Sequence, residues 1–72
     1  MADNKNIVAK TEYALEIYDK YGFVKQIDVY GEYEKALDEK NNYKGPLFGG
    51  EYLKINYIDY DKDGNEIGFG EA

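Results

Sequence analysis

The side chains that could take part in chemistry are of few types, chiefly tyrosine, aspartate, glutamate and lysine. The chain contains no His, Cys, Ser, Arg or Trp, and Thr11 is its single threonine. Serine and cysteine nucleophiles, an imidazole base, a thiolate or imidazole metal site and an arginine clamp on phosphate are therefore excluded. We predict that the protein is not an enzyme and uses no cofactor.

Carboxylates are the remaining candidates for catalysis, and Glu12 and Glu16 are close enough in sequence to form a pair. Glycoside chemistry with such a pair requires a cleft that raises the pKa of one carboxyl group. A domain of 72 residues has little room for a deep cleft. The pair is better interpreted as solvated acids on a strand.

A possible calcium loop lies near the end of the chain. Asp59, Asp61, Asp63 and Gly64 match positions 1, 3, 5 and 6 of an EF-hand loop, but the bidentate position 12 falls on Gly70. The flanking residues also alternate as strands do, whereas an EF-hand needs helices. We therefore interpret this segment as a hairpin turn and predict no metal site, with a weak accidental calcium site as the alternative.

The composition points to a class of partner. Fifteen acidic residues and nine lysines give a net charge of -6, which opposes direct binding to nucleic acid or an anionic membrane and favours a basic protein. The alternative is that the charge only keeps the domain dissolved. The absence of cysteine, of a signal peptide and of a long apolar run predicts a cytoplasmic location. Lysine without arginine, together with many Asn, Ile and Tyr, suggests an AT-rich bacterium or its phage.

Periodicity predicts the elements that position these side chains. Residues 1–6 are polar and aperiodic and are expected to be disordered, with a single α+β domain at 7–72. Alternating residues predict strands at 11–18, 23–30, 51–60 and 66–70, joined in pairs by turns at 19–22 and 61–65. After Gly31 the period becomes helical for about ten residues.

The resulting fold is ββαββ, a four-stranded antiparallel sheet with one helix packed on one face. Alternation places one set of residues under the helix, and Leu47 and Phe48 are expected to tuck under a sheet edge rather than stand out as an anchor. The set expected under the helix is Tyr13, Leu15, Ile17, Phe23, Ile27, Val29, Leu53, Ile55, Tyr57, Ile67 and Phe69.

One sheet face is then left uncovered, rich in tyrosine and carboxylate. Its predicted members are Glu12, Glu16, Tyr18, Val24, Asp28, Tyr30, Tyr52, Ile58, Tyr60 and Glu66. Tyrosine is enriched at protein interfaces, and the face lacks the positive track of a nucleic-acid groove. Same-face carboxylates two residues apart lie about 6.7 Å apart, comparable to the spacing of phosphates along a nucleic-acid strand.

Our leading hypothesis is a phage or mobile-element inhibitor that occupies a basic, nucleic-acid-binding surface of a bacterial protein. One form of this hypothesis is a DNA mimic of the anti-restriction or anti-CRISPR type. The analogy to those small acidic proteins is one of composition only. The alternative is an oligomerising module whose tyrosine-rich face pairs with its own copy as a homodimer. The predicted partner-binding residues are Glu12, Glu16, Tyr18, Asp28, Tyr30, Glu34, Asp38, Tyr52, Tyr60, Asp61, Asp63 and Glu66.

Overall fold

The computed structural model describes residues 7–72. In chain order these form β1 (Lys10–Asp19), β2 (Gly22–Tyr30), α1 (Tyr33–Asn41), β3 (Tyr52–Tyr60) and β4 (Glu66–Glu71). The predicted α+β class and the ββαββ order are confirmed. The expectation of disorder at residues 1–6 lies outside the described residues.

The four strands form one antiparallel sheet in the order β2-β1-β3-β4. Each hairpin contributes one central and one edge strand, and the hairpins meet along β1 and β3. Those two strands pair without a register shift from Lys10 opposite Tyr60 to Tyr18 opposite Tyr52. The central pair is therefore regular over its whole length.

Both hairpins turn by the same local chemistry. The carboxylate of Asp19 accepts a hydrogen bond from the N–H of Tyr21 at 2.8 Å, and that of Asp61 accepts one from the N–H of Asp63 at 2.9 Å. The glycine that ends each turn has a positive φ, 116° at Gly22 and 85° at Gly64. Asp closes the turn, and Gly adopts a conformation that other residues rarely do. The two predicted turns are confirmed.

The helix covers one face of the sheet and closes a thin core. Leu15 of β1, Ala36 of α1 and Ile55 of β3 are buried together, with partly buried residues packed around them. Glu34 in the first helical turn and Lys40 in the last complement the helix dipole. Within residues 7–72, no helix has the length and apolar character needed to cross a membrane.

The pairing of β2 with β1 is interrupted twice. Register shifts between Leu15 and Glu16 and between Ile17 and Tyr18 leave Ile27 and Val24 as extra residues in β2. Each bulge adds one residue to one strand only, so the alternation of faces changes at that point. The faces of β2 therefore differ from those that simple alternation predicts.

Four predictions for β2 are wrong for this reason. Residues directly opposite each other in an antiparallel pair share a face. Tyr30 lies opposite Tyr13 and Asp28 opposite Leu15, so both lie on the helix-covered face and not on the uncovered one. Val29 lies opposite Ala14 and Phe23 opposite Tyr18, so both lie on the uncovered face and not under the helix.

A third irregularity changes β4. The register shifts between Asp59 and Tyr60, and Phe69 then lies opposite Ile58 on the uncovered face, where it was not expected. The helix-covered side of β4 carries glycines instead, and the ring of Tyr57 lies over Gly70. A Cβ atom at Gly70 would lie 2.9 Å from a carbon of that ring. Tyr57 thus covers the inner side of β4 at Gly70.

The loop between α1 and β3 does not tuck under the sheet. Leu47 and Phe48 are both exposed, which corrects the expectation that they add to the core. A turn holds them: the N–H of Glu51 donates to the carbonyl oxygen of Phe48 at 2.8 Å, and the N–H of Phe48 donates to the Glu51 carboxylate at 2.9 Å. Leu47 and Phe48 therefore contribute little to the core.

Candidate protein-binding face

The side of the sheet opposite α1 is called the open face. All four strands contribute to it through residues that lie opposite one another across the sheet. Its members are Lys10, Glu12, Ala14, Glu16 and Tyr18 of β1; Phe23, Gln26 and Val29 of β2; Tyr52, Lys54, Asn56, Ile58 and Tyr60 of β3; and Glu66, Phe69 and Glu71 of β4.

A hydrogen-bond network links β1 and β3 on the open face, toward the end where Tyr18 lies opposite Tyr52. The Tyr18 hydroxyl donates to the Glu16 carboxylate at 3.1 Å. The side-chain amide of Asn56 donates to the same carboxylate oxygen at 2.6 Å and to the Tyr18 hydroxyl at 2.9 Å. Each polar group thus orients the next, so this part of the face is organised before any partner arrives.

Aromatic contacts surround the same tyrosine. The Tyr18 ring meets Phe23 edge to face at a centroid distance of 5.8 Å and stacks on Tyr52 at 6.2 Å. The ammonium of Lys54 lies 4.6 Å from the centre of the Tyr18 ring and 3.6 Å from the Glu71 carboxylate. These distances suit aromatic and cation–π attraction. Tyr18 therefore links three of the four strands with Lys54 and the acids around it.

The surroundings of Tyr18 change its acidity. Burial raises the pKa of Tyr18 above 10.0, and the charge of Glu16 and its hydrogen bond act in the same direction. The hydrogen bond from Asn56 and the charge of Lys54 partly offset this rise. The neutral, hydrogen-bonding form of the phenol is therefore favoured to a higher pH than for a free tyrosine.

A smaller cluster lies at the other end of β1 and β3. The ammonium of Lys10 is 5.1 Å from the centre of the Tyr60 ring and 3.4 Å from the Glu12 carboxylate. Burial raises the pKa of Tyr60, and a hydrogen bond and the charge of Glu12, with the charge of Glu66, raise it further. Both lysines of the open face are thus engaged with acids and tyrosine rings of that face.

A shallow groove of about 480 Å³ lies beside the Tyr18 cluster and extends to β4. Tyr18 and Lys54 line one part of it, and Ile58, Phe69 and Glu71 line another. Three aromatic side chains near it remain in solvent: Phe23 is 58% exposed, Tyr52 48% and Phe69 78%. The open face therefore combines a fixed polar network with apolar rings that have no cover among the described residues.

The predicted partner-binding residues fall into separate groups. Six of the twelve lie together on the open face, namely Glu12, Glu16, Tyr18, Tyr52, Tyr60 and Glu66. Glu34 and Asp38 belong to α1, on the other side of the sheet. A partner that contacts both groups would need to wrap around an edge strand, because the two groups lie on opposite sides of the sheet.

Asp28 and Tyr30 lie with the helix group. Tyr30 lines a depression together with Lys35, Asp38 and Glu39. Burial raises the pKa of Tyr30, and the charges of Glu39 and Asp28 raise it further. This is a second acidic region, and it lies on the side of the sheet that α1 covers.

The acids of the second turn are used by the turn itself. Asp61 accepts hydrogen bonds from the N–H groups of Asp63 and Asn65, both at 2.9 Å, and from the Asn65 side-chain amide at 3.2 Å. The hydrogen bond from the Asn65 backbone is the main reason that the pKa of Asp61 is lowered. Asp59 accepts a hydrogen bond from the Thr11 hydroxyl at 2.6 Å. The geometry therefore favours the hairpin interpretation over a calcium loop.

Within residues 7–72, no group of three acidic side chains is placed to hold a metal ion. Asp63 is exposed at the tip of the turn, and its backbone N–H donates to the Asp61 carboxylate. Asp61 and Asp63 thus belong to the end of the β3–β4 hairpin and not to the centre of the open face.

Several residues of the open face were not among the predicted binding residues. Those that take part in the contacts of the face or line its groove include Phe23, Lys54, Asn56, Phe69 and Glu71. A signal for two of them was present in the sequence, since Lys25 breaks the apolar alternation of β2 and Gly68 lies inside β4. A charge at a predicted core position and a glycine within a strand both indicate bulges.

No protein-family model matches the chain, and comparison with curated proteins and with solved structures gave no match. The function must therefore be inferred from the open face itself.

Proposed function

We propose that the protein is a non-enzymatic binding protein whose open face contacts a basic surface of another protein. The observation that carries this proposal is the set of exposed rings, Phe23, Tyr52 and Phe69, on a sheet face that α1 does not cover. Aromatic residues of this kind supply much of the energy of protein interfaces. The expected setting is a bacterial cytoplasm.

The rings are suited to binding because their surroundings are already ordered. Tyr52 stacks on Tyr18, which is held by Glu16 and Asn56, so its contact area is presented in one orientation. An ordered ring loses less conformational entropy on binding than a mobile one. Tyr52 is therefore expected to act as an anchor of the interface.

The charges of the open face indicate the charge of the surface that it would bind. Its four acids, Glu12, Glu16, Glu66 and Glu71, outnumber its two lysines. Both lysines lie within 4 Å of a glutamate, which reduces their attraction for other anions. A positively charged surface is the complementary partner, and the remaining charge would accelerate its approach.

The same arrangement favours a mixed aromatic and acidic contact over close imitation of DNA. Ala14 separates Glu12 from Glu16 on the open face, and Lys54 lies opposite Glu16. A regular row of phosphate-like charges is therefore interrupted. We propose that inhibition, where the partner binds nucleic acid, results from covering its basic surface and not from reproducing phosphate spacing.

Direct binding measurements test this function. Purified basic nucleases and polymerases from AT-rich bacteria would be passed over the immobilised protein at about 50 mM and about 500 mM salt. We expect a specific complex whose affinity falls as salt rises. Affinity that is independent of salt, or binding by none of the candidates, would contradict the proposal.

Matched tyrosine variants identify the face. Tyr52→Ala removes a ring from the open face, whereas Tyr21→Ala removes one that is 86% exposed in the first hairpin turn. Loss of a central aromatic anchor weakens an interface by about 2 kcal/mol or more. We expect that loss for Tyr52→Ala only, and equal effects of the two variants would place the contact elsewhere.

A further inference from the structure

The two edges of the sheet differ in how they are protected. Edge strand β2 contains two bulges and carries Lys25, features that discourage another strand from pairing with it. Edge strand β4 has one shift near its start and then pairs regularly from Gly68 to Glu71. It contains neither lysine nor proline. β4 is therefore the more accessible edge.

Backbone groups of β4 point away from the sheet. The N–H of Ala72 donates to the carbonyl oxygen of Ile55 at 2.9 Å, which makes this a hydrogen-bonded pair of the ladder. Such pairs alternate along antiparallel strands, so Gly70 and Gly68 bond to β3. The peptide groups of Phe69 and Glu71 are then directed to the free edge. Among the described residues no strand pairs with that edge.

The side chains of β4 specify what could lie beside it. Phe69 and Glu71 project onto the open face, whereas Gly68 and Gly70 leave their side of the strand without side chains. A strand added at this edge would place alternate residues next to Phe69 and Glu71. An apolar residue suits the first position and a basic residue the second.

Charge distinguishes between two possible occupants. The only charged side chains of β4 are Glu66 and Glu71, and the chain as a whole carries a charge of -6. A second copy would bring the same carboxylates to the joint and would be repelled. A segment with lysine or arginine near these acids would be attracted.

We propose that the free edge of β4 receives an extended, basic segment of the partner protein as a fifth strand. Its backbone pairs with Phe69 and Glu71, and its apolar side chain packs on the Phe69 ring. This inference rests on the proposed function, since it names the part of the basic partner that would extend the open face. Main-chain hydrogen bonds supply the affinity, and the side chains supply the selectivity.

Two synthetic peptides of equal length test this proposal. In each peptide threonine occupies every second position, and the positions between hold a charged residue, a central valine and a second charged residue. Both charged residues are lysine in one peptide and glutamate in the other. We expect the lysine peptide to slow hydrogen exchange at the amides of Phe69 and Glu71 by about tenfold or more at saturation. The glutamate peptide should leave both amides unchanged. Equal effects of the two peptides, or protection along β2 instead, would overturn the proposal.

Variants of β4 separate backbone pairing from charge. Phe69→Pro removes the outward N–H and no hydrogen bond of the ladder, so the sheet should remain folded while the lysine peptide no longer binds. Phe69→Thr keeps the N–H and should bind about tenfold more weakly. Glu71→Lys should reverse the preference toward the glutamate peptide. Unchanged preference in Glu71→Lys would contradict the role assigned to charge, even where Phe69→Pro fails to fold.

The last experiment uses the protein without any peptide. Sedimentation at high concentration, combined with hydrogen exchange, shows whether a second copy already occupies the edge. A dimer with protected Phe69 and Glu71 amides would overturn the proposal in favour of self-pairing. A monomer with unprotected amides supports it.

Failure of this inference can be told apart from failure of the proposed function. A basic protein that binds wild type and Phe69→Pro equally, but not Tyr52→Ala, would leave the open face as the interface and exclude strand addition. Binding of the lysine peptide alone, with no basic protein bound, would support the edge and contradict the wider function.

Discussion

The two faces of this sheet are built from similar residues that serve different ends. On the covered face, Leu15 and Ile55 pack against Ala36 of the helix, and tyrosines fill the margin of that small core. On the open face, Tyr18 is held by polar neighbours and the aromatic rings around it remain in solvent. The apolar core is thus concentrated on one side of the sheet, which leaves the other side free to be specialised for contact.

Truncating the core should have the largest effect. Leu15→Ala removes a buried side chain from the centre of the covered face and should lower the free energy of unfolding by about 3 kcal/mol. Urea denaturation followed by tyrosine fluorescence measures this. Leu47→Ala, the same change at an exposed loop position, should stay within about 0.5 kcal/mol. Similar losses in the two variants would show that the core is not where the structure places it.

A substitution in the turn between β3 and β4 should have the next largest effect on stability, and this effect should depend on pH. Asp61→Ala removes the acceptor of three hydrogen bonds in the turn, whereas Asp63→Ala removes an exposed carboxylate. Asp61→Ala should therefore lower the urea midpoint of unfolding more than Asp63→Ala, with little change in slope. A larger effect of Asp63→Ala would suggest that its carboxylate has a function in the turn.

The lowered pKa of Asp61 sets the direction of the pH dependence. The unfolded chain takes up the proton more readily than the folded one, so acid favours unfolding through this group. The stabilisation is present above the unfolded value of 3.8 and is lost as pH falls through the lower folded pKa. Denaturation measured from about pH 6 to about pH 2 should show a smaller loss in Asp61→Asn than in wild type.

Removing one hydroxyl from the open face should have a moderate effect. Tyr18→Phe keeps the ring contacts but deletes two hydrogen bonds, and should cost about 1 kcal/mol. Tyr52→Phe, on a half-exposed ring, is the matched control. Equal losses from the two variants would mean that the hydrogen-bond network contributes nothing to stability.

Alkaline titration examines the same tyrosine. Because the pKa of Tyr18 is raised in the folded state, its contribution to stability is present below 10.0 and is lost as pH rises through the folded pKa. Phenolate absorbance should therefore appear at higher pH in the folded wild-type protein than in the chain unfolded by urea. The part of the absorbance change that occurs at the highest pH should be smaller in Tyr18→Phe. It should not disappear, because the pKa values of Tyr30 and Tyr60 are also raised.

The smallest effect on stability is expected at the most exposed ring of the open face. Phe69→Thr should change the free energy of unfolding by no more than about 0.5 kcal/mol, because the ring is 78% exposed. The same variant should weaken binding of a basic partner. A large loss of stability would show that Phe69 belongs to the fold and not to the interface.

Much of the architecture follows from local patterns in the sequence. Alternation in β1 and β3 predicts their faces correctly because those strands pair without a shift, and Asp19 and Asp61 mark both turns. The faces of β2 and β4 do not follow, because a bulge is a property of the pairing between two strands. For that reason alternation assigns Phe23, Phe69, Asp28 and Tyr30 to the wrong face of the sheet.

The candidate site was predictable to the same extent. Its acids and tyrosines on β1 and β3 follow from alternation, whereas the aromatic rings at its margins depend on the bulges of the edge strands. The link from Glu16 through Asn56 to Tyr18 requires knowledge that β1 lies beside β3, which alternation within one strand does not provide.

The tyrosine ring that lies over Gly70 limits how this protein can change. A side chain at Gly70 would displace Tyr57, whereas a side chain at Gly49 would meet nothing within 4 Å. A Cβ atom at Gly70 requires the far end of the Tyr57 ring to move. In a library of random variants selected for folding, Gly49 should therefore be replaced more freely than Gly70.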